Sequence, residues 1–259
     1  MKQHMLLEKL QLNSINGNKV PFNSIEEYID FNKSISSSQR LTDKLVDQRN
    51  FSSNSNLSIL RKTSDHYDYR KLRKDIFEDM GYSSEFNTSI SEYDFDKYDG
   101  NSIVVALKKS DKSLVGGMRL ILDSQHIKLQ SDEKISFDNL REGGKSIAEM
   151  SRLVIDPENR GRNSSLDIVC GTYQLGITLG IDYFVFGIVE KHFNFYNNLT
   201  HCEKIYSGNY GNIDKKCTIV QSDLKKIKPF LQERLNSLRL ENRNEKKSIN
   251  RNITEEVFA

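Results

Sequence analysis

Apolar positions in the middle of the chain predict a set of β-strands. Residues 102–108 and 113–122 are rich in β-forming residues and are separated by a charged turn, which predicts an antiparallel hairpin. A third strand is predicted at 147–155. The nearly continuous apolar run at 182–189 is typical of a buried central strand.

Apolar residues at helical spacing predict helices around these strands. Residues 64–80 place Tyr69, Leu72, Ile76 and Phe77 on one helix face, and Gly81 is a natural stop. The other predicted elements are helices at 165–179 and 191–199 and weaker strands near Lys204 and Cys217. A hairpin followed by a strand–loop–helix–strand unit predicts a mixed α/β (α+β) body at residues 63–222.

The two ends of the chain are more polar than this body. Residues 1–62 are rich in Asn, Ser and Lys and predict a loop-rich extension with one helix, capped between Ser24 and Glu27. The apolar stripe of that helix would be Ile25, Tyr28, Ile29 and Ile35. Residues 223–259 predict a basic helical tail, with a stripe of Phe230, Leu231, Leu235 and Leu238.

Composition narrows the protein class. Of the 259 residues, 36 % are hydrophobic, which suffices for one core with polar segments outside it. The net charge of +2 creates no bulk field that would attract nucleic acid. The apolar runs fall short of the ~20 residues of a membrane span, and the first residues lack the apolar core of a secretory signal. We therefore expect a cytoplasmic protein with neither a nucleic-acid partner nor a membrane span.

Cysteine and histidine positions bear on compartment and metal binding. Cys170, Cys202 and Cys217 form no CxxC pair, which favours a reducing compartment. The five histidines show no metal-ligand spacing. We expect neither a metal nor a bound cofactor.

A polar loop joins the third strand to the following helix and is a candidate phosphate site. Helix N-termini offer unpaired N–H groups and a positive dipole, and a glycine allows close approach of the backbone. The candidate residues are Arg160, Gly161, Arg162, Asn163 and Ser164. An ordinary surface loop would carry the same residues.

Charged residues also interrupt the apolar strands. Arg119 lies in the second strand of the hairpin, and Glu149 and Arg152 lie in the third strand, while Asp96 and Asp99 come just before the hairpin. Because burying an unpaired charge is costly, such residues pair with each other or contact a polar ligand. Positions three apart on a strand face opposite sides, so Glu149 and Arg152 share a site only if a bulge lies between them. A purely structural ion-pair network is the alternative.

Four short motifs follow one another along the chain. They are Arg73-x-x-x-Phe77, Asp96-Lys-Tyr-Asp99, Gly116-Gly-Met-Arg119-Leu120 and Glu149-Met-Ser-Arg152, with Phe137 before the last. In order and spacing they resemble the acyl-homoserine-lactone synthases and the related N-acyl amino acid synthases. The resemblance covers roughly residues 66 to 155. It implies a GNAT-like acyltransferase fold, with a mixed, mostly antiparallel sheet, flanking helices and a cleft between two splayed strands.

The resemblance also implies roles for named residues. Glu149 would be the base that deprotonates the acceptor amine, and Tyr196 would protonate the leaving thiolate. The acceptor site and its charge cluster would comprise Arg73, Phe77, Asp96, Asp99, Arg119, Phe137, Ser151 and Arg152. The loop from Arg160 to Ser164 would hold the phosphate of the acyl donor.

The implied reaction transfers a fatty acyl group from acyl carrier protein or coenzyme A to a small amine. Synthesis of an acyl-homoserine lactone, a quorum-sensing signal, from S-adenosylmethionine is the first expectation. The lactone synthases commonly carry a tryptophan after the first motif, whereas this chain has no Trp and has Tyr82 and Ser83 there. N-acyl amino acid or acyl-amine synthesis is therefore the alternative. A non-catalytic module of the same fold, which binds a carrier protein or a ligand, is a third.

Overall fold

A computed structural model describes residues 25–46, 56–82, 93–160, 162–209 and 216–226, together with residues 231 and 233. The helices are α1 (Ile25–Leu45), α2 (Thr63–Asp79), α3 (Asp138–Glu142), α4 (Arg162–Thr178) and α5 (Phe193–Thr200). The strands are β1 (Leu57–Ile59), β2 (Ser102–Lys108), β3 (Leu114–Leu122), β4 (Ile147–Ile155), β5 (Tyr183–Val189), β6 (Glu203–Asn209) and β7 (Lys216–Asp223).

The described strands form one seven-stranded sheet in the order β1-β2-β3-β4-β5-β7-β6. Neighbouring strands are antiparallel except β4 and β5, which are parallel. Two parallel strands need a crossover connection, and α4 provides it. The hairpin β2–β3 and the mixed, mostly antiparallel sheet flanked by helices confirm the predicted fold class.

The sheet opens between its two parallel strands. β4 pairs with β5 from Ile147 to Glu149, opposite Tyr183 to Val185, whereas β5 continues to pair with β7 as far as Val189. Beyond Glu149, β4 therefore leaves β5. The predicted cleft between splayed strands lies at this fork.

A bulge in β4 accompanies the fork. Between the pairs Gly117–Val154 and Arg119–Ser151, one residue of β3 faces two of β4, and Arg152 adopts a φ of 55°. The Tyr69 hydroxyl donates a hydrogen bond to the Arg152 carbonyl at 2.8 Å. A Cβ at Gly117 would lie 3.0 Å from the Tyr69 ring, so the glycine leaves room for this contact. The bulge meets the condition under which Glu149 and Arg152 share one site.

Helix α4 packs on the sheet and closes the main core. Ile168, Val169 and Tyr173 of α4 are fully buried, and the Tyr173 ring meets Phe184 of β5 edge-on at 4.9 Å. A Cβ at Gly176 would lie 2.2 Å from the Phe184 ring, so the close approach of helix and sheet requires glycine there.

The structure corrects two expectations for the N-terminal segment. Leu57–Ile59, in a run predicted to be loop, forms β1 and pairs with β2. In α1, Ile29 of the predicted stripe is 41 % exposed, whereas Phe31 is fully buried. Ile35 of the predicted stripe is buried as expected, so the buried face keeps Ile35 and includes Phe31 in place of Ile29.

Several predicted positions lie outside the described residues. They are Ser24, Ser83, Gly161, Phe230, Leu235 and Leu238. Leu231 of the predicted tail is described and is fully buried in the main core. No helix in the described ranges is long and apolar enough to cross a membrane. Nor do three or more His, Cys, Asp or Glu residues gather there as a metal would require.

Candidate active site

A buried network of arginines and aspartates connects α2, the segment before β2, and β3. Asp99 accepts a hydrogen bond from Arg73 at 2.7 Å and another from Arg119 at 3.0 Å. Arg73 also pairs with Asp94 at 2.6 Å, and Arg119 pairs with Asp96 at 2.6 Å. Burial opposes the ionisation of Asp99, but the two guanidinium groups hold its pKa well below the usual range. The network therefore stays ionised.

The network continues into β4. Arg119 donates from Nε to the Ser151 hydroxyl at 2.9 Å, and Arg152 reaches Asp96 at 3.3 Å. The Arg152 guanidinium also lies over the Phe77 ring, 5.6 Å from its centroid. The structure thus gathers the predicted cluster members from four segments of the chain, except Phe137.

Phe137 lies apart from this network. Its side chain is 3 % exposed and packs in a separate apolar cluster with Ile121, Val185 and Ile219. Its predicted part in acceptor binding remains a prediction.

Helix α1 covers the network from the side of α2. Arg70, which the sequence did not single out, lies over the Phe31 ring at 4.7 Å and donates to the Ser34 hydroxyl at 2.9 Å. Ser38 donates to the Ser102 carbonyl at 2.6 Å. The contacts of Arg70 arise only when α1 docks, so no local sequence pattern marks them.

A cavity of about 230 Å³ occupies the fork between β4 and β5. Its polar wall includes Glu149, Arg152 and Tyr196, and its apolar wall includes Leu153 and Ile188. Phe77 and Tyr82 also border it, with their ring centroids 6.2 Å apart. The cavity combines apolar walls with an acidic and a basic side chain, which is the usual make-up of a small-molecule site.

Glu149 borders this cavity at the last residue of β4 that pairs with β5. Its side chain is 1 % exposed, and its two oxygens accept hydrogen bonds from the Ser131 N–H at 2.8 Å and the Ser131 hydroxyl at 3.0 Å. Burial raises the pKa of Glu149 to about 7, while the Ser131 donors and Arg119 oppose the rise. A carboxylate with such a pKa can both accept and release a proton near neutrality.

Ser131 is a second residue that the sequence did not single out. It lies in a short 3-10 helix, Gln130–Glu133. Gln130, the first residue of this helix, accepts a hydrogen bond from Arg119 at 3.2 Å. A single serine in a polar connection carries no recognisable signal, because only the folded chain brings it to β4.

Tyr196 of α5 borders the cavity and packs on the β5 side of the fork. Its ring is 5.2 Å from the Phe186 ring of β5. Burial, with a smaller contribution from Cys202, raises the pKa of Tyr196 to about 12. The hydroxyl therefore carries its proton at neutral pH and can donate it.

The predicted phosphate loop is described only in part. The Ser164 hydroxyl donates to the Asn159 carbonyl at 3.1 Å, Asn163 is exposed, and Arg160 donates from Nε to the Ile155 carbonyl at 3.5 Å. Arg162 begins α4. Arg160, Asn163 and Ser164 do not border the cavity at the fork. Their part in donor binding remains a prediction.

A mixed, mostly antiparallel sheet that splits between two parallel strands is the GNAT-type fold, which the solved structures reported below share. The chain belongs to the FeeM family of N-acyl amino acid synthases, since the sequence profile of that family matches residues 68–220. The protein is therefore an enzyme of the acyltransferase class. A search of curated protein sequences gives no match.

Solved structures support the fold. One is FeeM, an N-acyl amino acid synthase from uncultured soil microbes, with 18 % identity and a TM-score of 0.58 over 66 % of this chain and 92 % of that one. Another is BjaI, a CoA-dependent acyl-homoserine lactone synthase, with 13 % identity and a TM-score of 0.54 over 72 % of this chain and 89 % of that one. The acyl-homoserine lactone synthase LasI has 16 % identity and a TM-score of 0.50 over 65 % and 89 %.

Proposed function

We propose that this protein joins a fatty acyl group from an acyl thioester to the amine of an amino acid. The observation that carries the proposal is Glu149, a buried carboxylate whose pKa of about 7 suits it to remove a proton from an amine beside the fork. Membership of the FeeM family supports the same reaction class. A cytoplasmic location, where acyl thioesters circulate, is part of the proposal.

The proposed reaction uses the groups around the cavity in sequence. Glu149 accepts a proton from the acceptor ammonium, and the freed amine attacks the thioester carbonyl. Backbone N–H groups of β4 beyond Glu149, where that strand has left β5, stabilise the developing oxyanion. The C–S bond then breaks as Tyr196 donates its proton to the thiolate, and the second proton that the nitrogen loses on becoming an amide returns to the Tyr196 oxygen. Glu149 releases the first proton to solvent when the product leaves.

The charge network has two roles in this proposal. Arg152 borders the cavity and supplies a positive charge for the carboxylate of the acceptor. Arg73, Asp99 and Arg119 lie behind it and hold α2 and β3 in position. The donor, either coenzyme A or acyl carrier protein, would place its phosphate on the loop from Arg160 to Ser164.

The identity of the acceptor is the finer part of the proposal. An amino acid is favoured because the family is one of N-acyl amino acid synthases, and because Tyr82 rather than a tryptophan follows α2. Synthesis of acyl-homoserine lactone is the second candidate. It is favoured by the likeness to BjaI, which is 14 % identical to this chain and whose structure was solved with SAM and isopentyl-CoA.

Expression in a bacterium followed by mass spectrometry of lipid extracts tests the proposal. We expect N-acyl amino acids in cells that carry the chain and none in cells that carry Glu149→Gln. Acyl-homoserine lactones without acyl amino acids would replace the first candidate by the second. Absence of both products, also from purified protein given acyl-CoA or acyl carrier protein with amino acids or S-adenosylmethionine, would refute acyl transfer to these acceptors.

A further inference from the structure

Both oxygens of Glu149 are bound by a single residue outside its own sheet. Ser131 donates its N–H to one oxygen at 2.8 Å and its hydroxyl to the other at 3.0 Å. Ser131 is itself fully buried, so water does not compete for either bond. Two bonds to two oxygens fix the plane of the carboxylate as well as its direction.

The segment that carries Ser131 is itself held rigidly. Asp132 accepts the Leu129 N–H at 3.0 Å and pairs with Arg141 at 2.5 Å. Arg141 in turn pairs with Asp123 at 2.7 Å, next to the end of β3. These bonds leave Ser131 little freedom to follow Glu149, so the serine sets the position of the carboxylate.

We propose that Ser131 is a positioning residue for acyl transfer, whose hydroxyl holds Glu149 in its ionised, cleft-facing form. The inference rests on the proposed role of Glu149 as the base. Hydrogen bonds to an ionised carboxylate favour that form over the protonated one. Loss of the hydroxyl would leave the N–H bond in place and raise the pKa of Glu149, so that a smaller fraction of the carboxylate is ionised at acidic and neutral pH.

Other charged groups around Glu149 would remain in such a variant. Arg119 of β3 stabilises the carboxylate, whereas the charge of Asp132 opposes it. Tyr98 faces it from the segment before β2, and Arg152, His192 and Tyr196 share its cavity. Because all of them are common to the wild type and the variant, a change in titration reports the hydroxyl.

The test compares Ser131→Ala with the wild type in the pH dependence of kcat/KM for acyl transfer, which reports the free enzyme. We expect the acidic limb to move up by about one pH unit. For a base that titrates near 7, kcat/KM then falls about tenfold at pH 6 and less than twofold at pH 9. Ser131→Cys, with a weaker donor of similar size, gives an intermediate displacement.

Ser124→Ala is the matched control. The Ser124 hydroxyl lies in the same connection and bonds only the backbone of Ile127 among the described contacts. Ser124→Ala should leave the acidic limb of the kcat/KM profile at its wild-type position. An equal loss of kcat/KM at every pH in Ser131→Ala, or an unmoved limb, would overturn the positioning role while leaving the proposed function intact.

A measurement without substrate separates the inference from the proposed function. Carbon-13 NMR of glutamate-labelled protein follows the Glu149 carboxyl, assigned by its loss in Glu149→Gln. We expect its titration to move upward in Ser131→Ala, even if the wild type acylates none of the acceptors offered. An unchanged titration would overturn the inference by itself.

Discussion

Replacement of Glu149 by glutamine should abolish acyl transfer and at the same time stabilise the protein at alkaline pH. Glutamine has nearly the same shape, and its carbonyl can accept the Ser131 N–H while its amide faces the Ser131 hydroxyl. The variant therefore keeps the packing at the fork and removes only the charge. The wild type has to hold that charge in a site that is 1 % exposed.

The size of the effect follows from the pKa of Glu149, which burial raises from 4.5 to about 7 in the folded protein. Between these values the folded state retains a proton that the unfolded state has released, so stability falls as pH rises through this range. At ~1.4 kcal/mol for each pH unit, the loss reaches roughly 3 kcal/mol above pH 7. A glutamine at this position does not titrate, so the variant does not lose this stability as the pH rises.

Urea unfolding followed by circular dichroism at pH 5 and pH 8 measures the difference, since the chain has no tryptophan for fluorescence. We expect the free energy of unfolding of Glu149→Gln to exceed that of the wild type by about 3 kcal/mol at pH 8, with most of this difference gone at pH 5. The other ionisable groups are common to both proteins and cancel. A gain or loss of equal size at both pH values would refute a raised pKa at Glu149.

Two further substitutions test the framework of the site. Tyr69→Phe removes the hydrogen bond to the Arg152 carbonyl. It should lower the free energy of unfolding by about 1–2 kcal/mol and slow acyl transfer. Unchanged stability and rate would show that the bulge does not need this bond. Asp99→Ala leaves Arg73 and Arg119 without their shared partner. It should lower the free energy of unfolding by about 3–5 kcal/mol, measured by thermal or urea unfolding. A loss below ~1 kcal/mol would mean that the two arginines form ion pairs with other groups instead.

The sequence predicts the central elements well because their patterns are long and regular. Strand β4 begins at Ile147 and ends at Ile155, as predicted, and the hairpin occupies the predicted residues. β1 was missed because Leu57–Ile59 has three residues in a polar run and is ordered only by pairing with β2. In α1 the prediction holds for Ile35 and fails for Ile29, because the burial of Phe31 depends on contacts with Tyr67 and Tyr93, far along the chain.

The site divides in the same way. Arg119, Glu149 and Arg152 stand out in the sequence because a charge within an apolar strand is costly unless it has a partner. Their partners are harder to recognise, since Ser131 and Arg70 lie in polar surroundings where serine and arginine are common. Local patterns thus reveal which residues carry unusual chemistry, and only the fold reveals what holds them.

The position of α1 has a consequence for the order in which the chain assembles during synthesis. Ser38 bonds the carbonyl of Ser102, which is made 64 residues later. At ~5–20 residues per second, the buried face of α1 waits on the order of 3–13 seconds for its partner strand. During that interval Phe31 and Ile35, both buried in the finished protein, also wait for Tyr93, which packs with them and is made later. The order of synthesis therefore leaves the apolar face of α1 uncovered until Tyr93 and β2 have emerged.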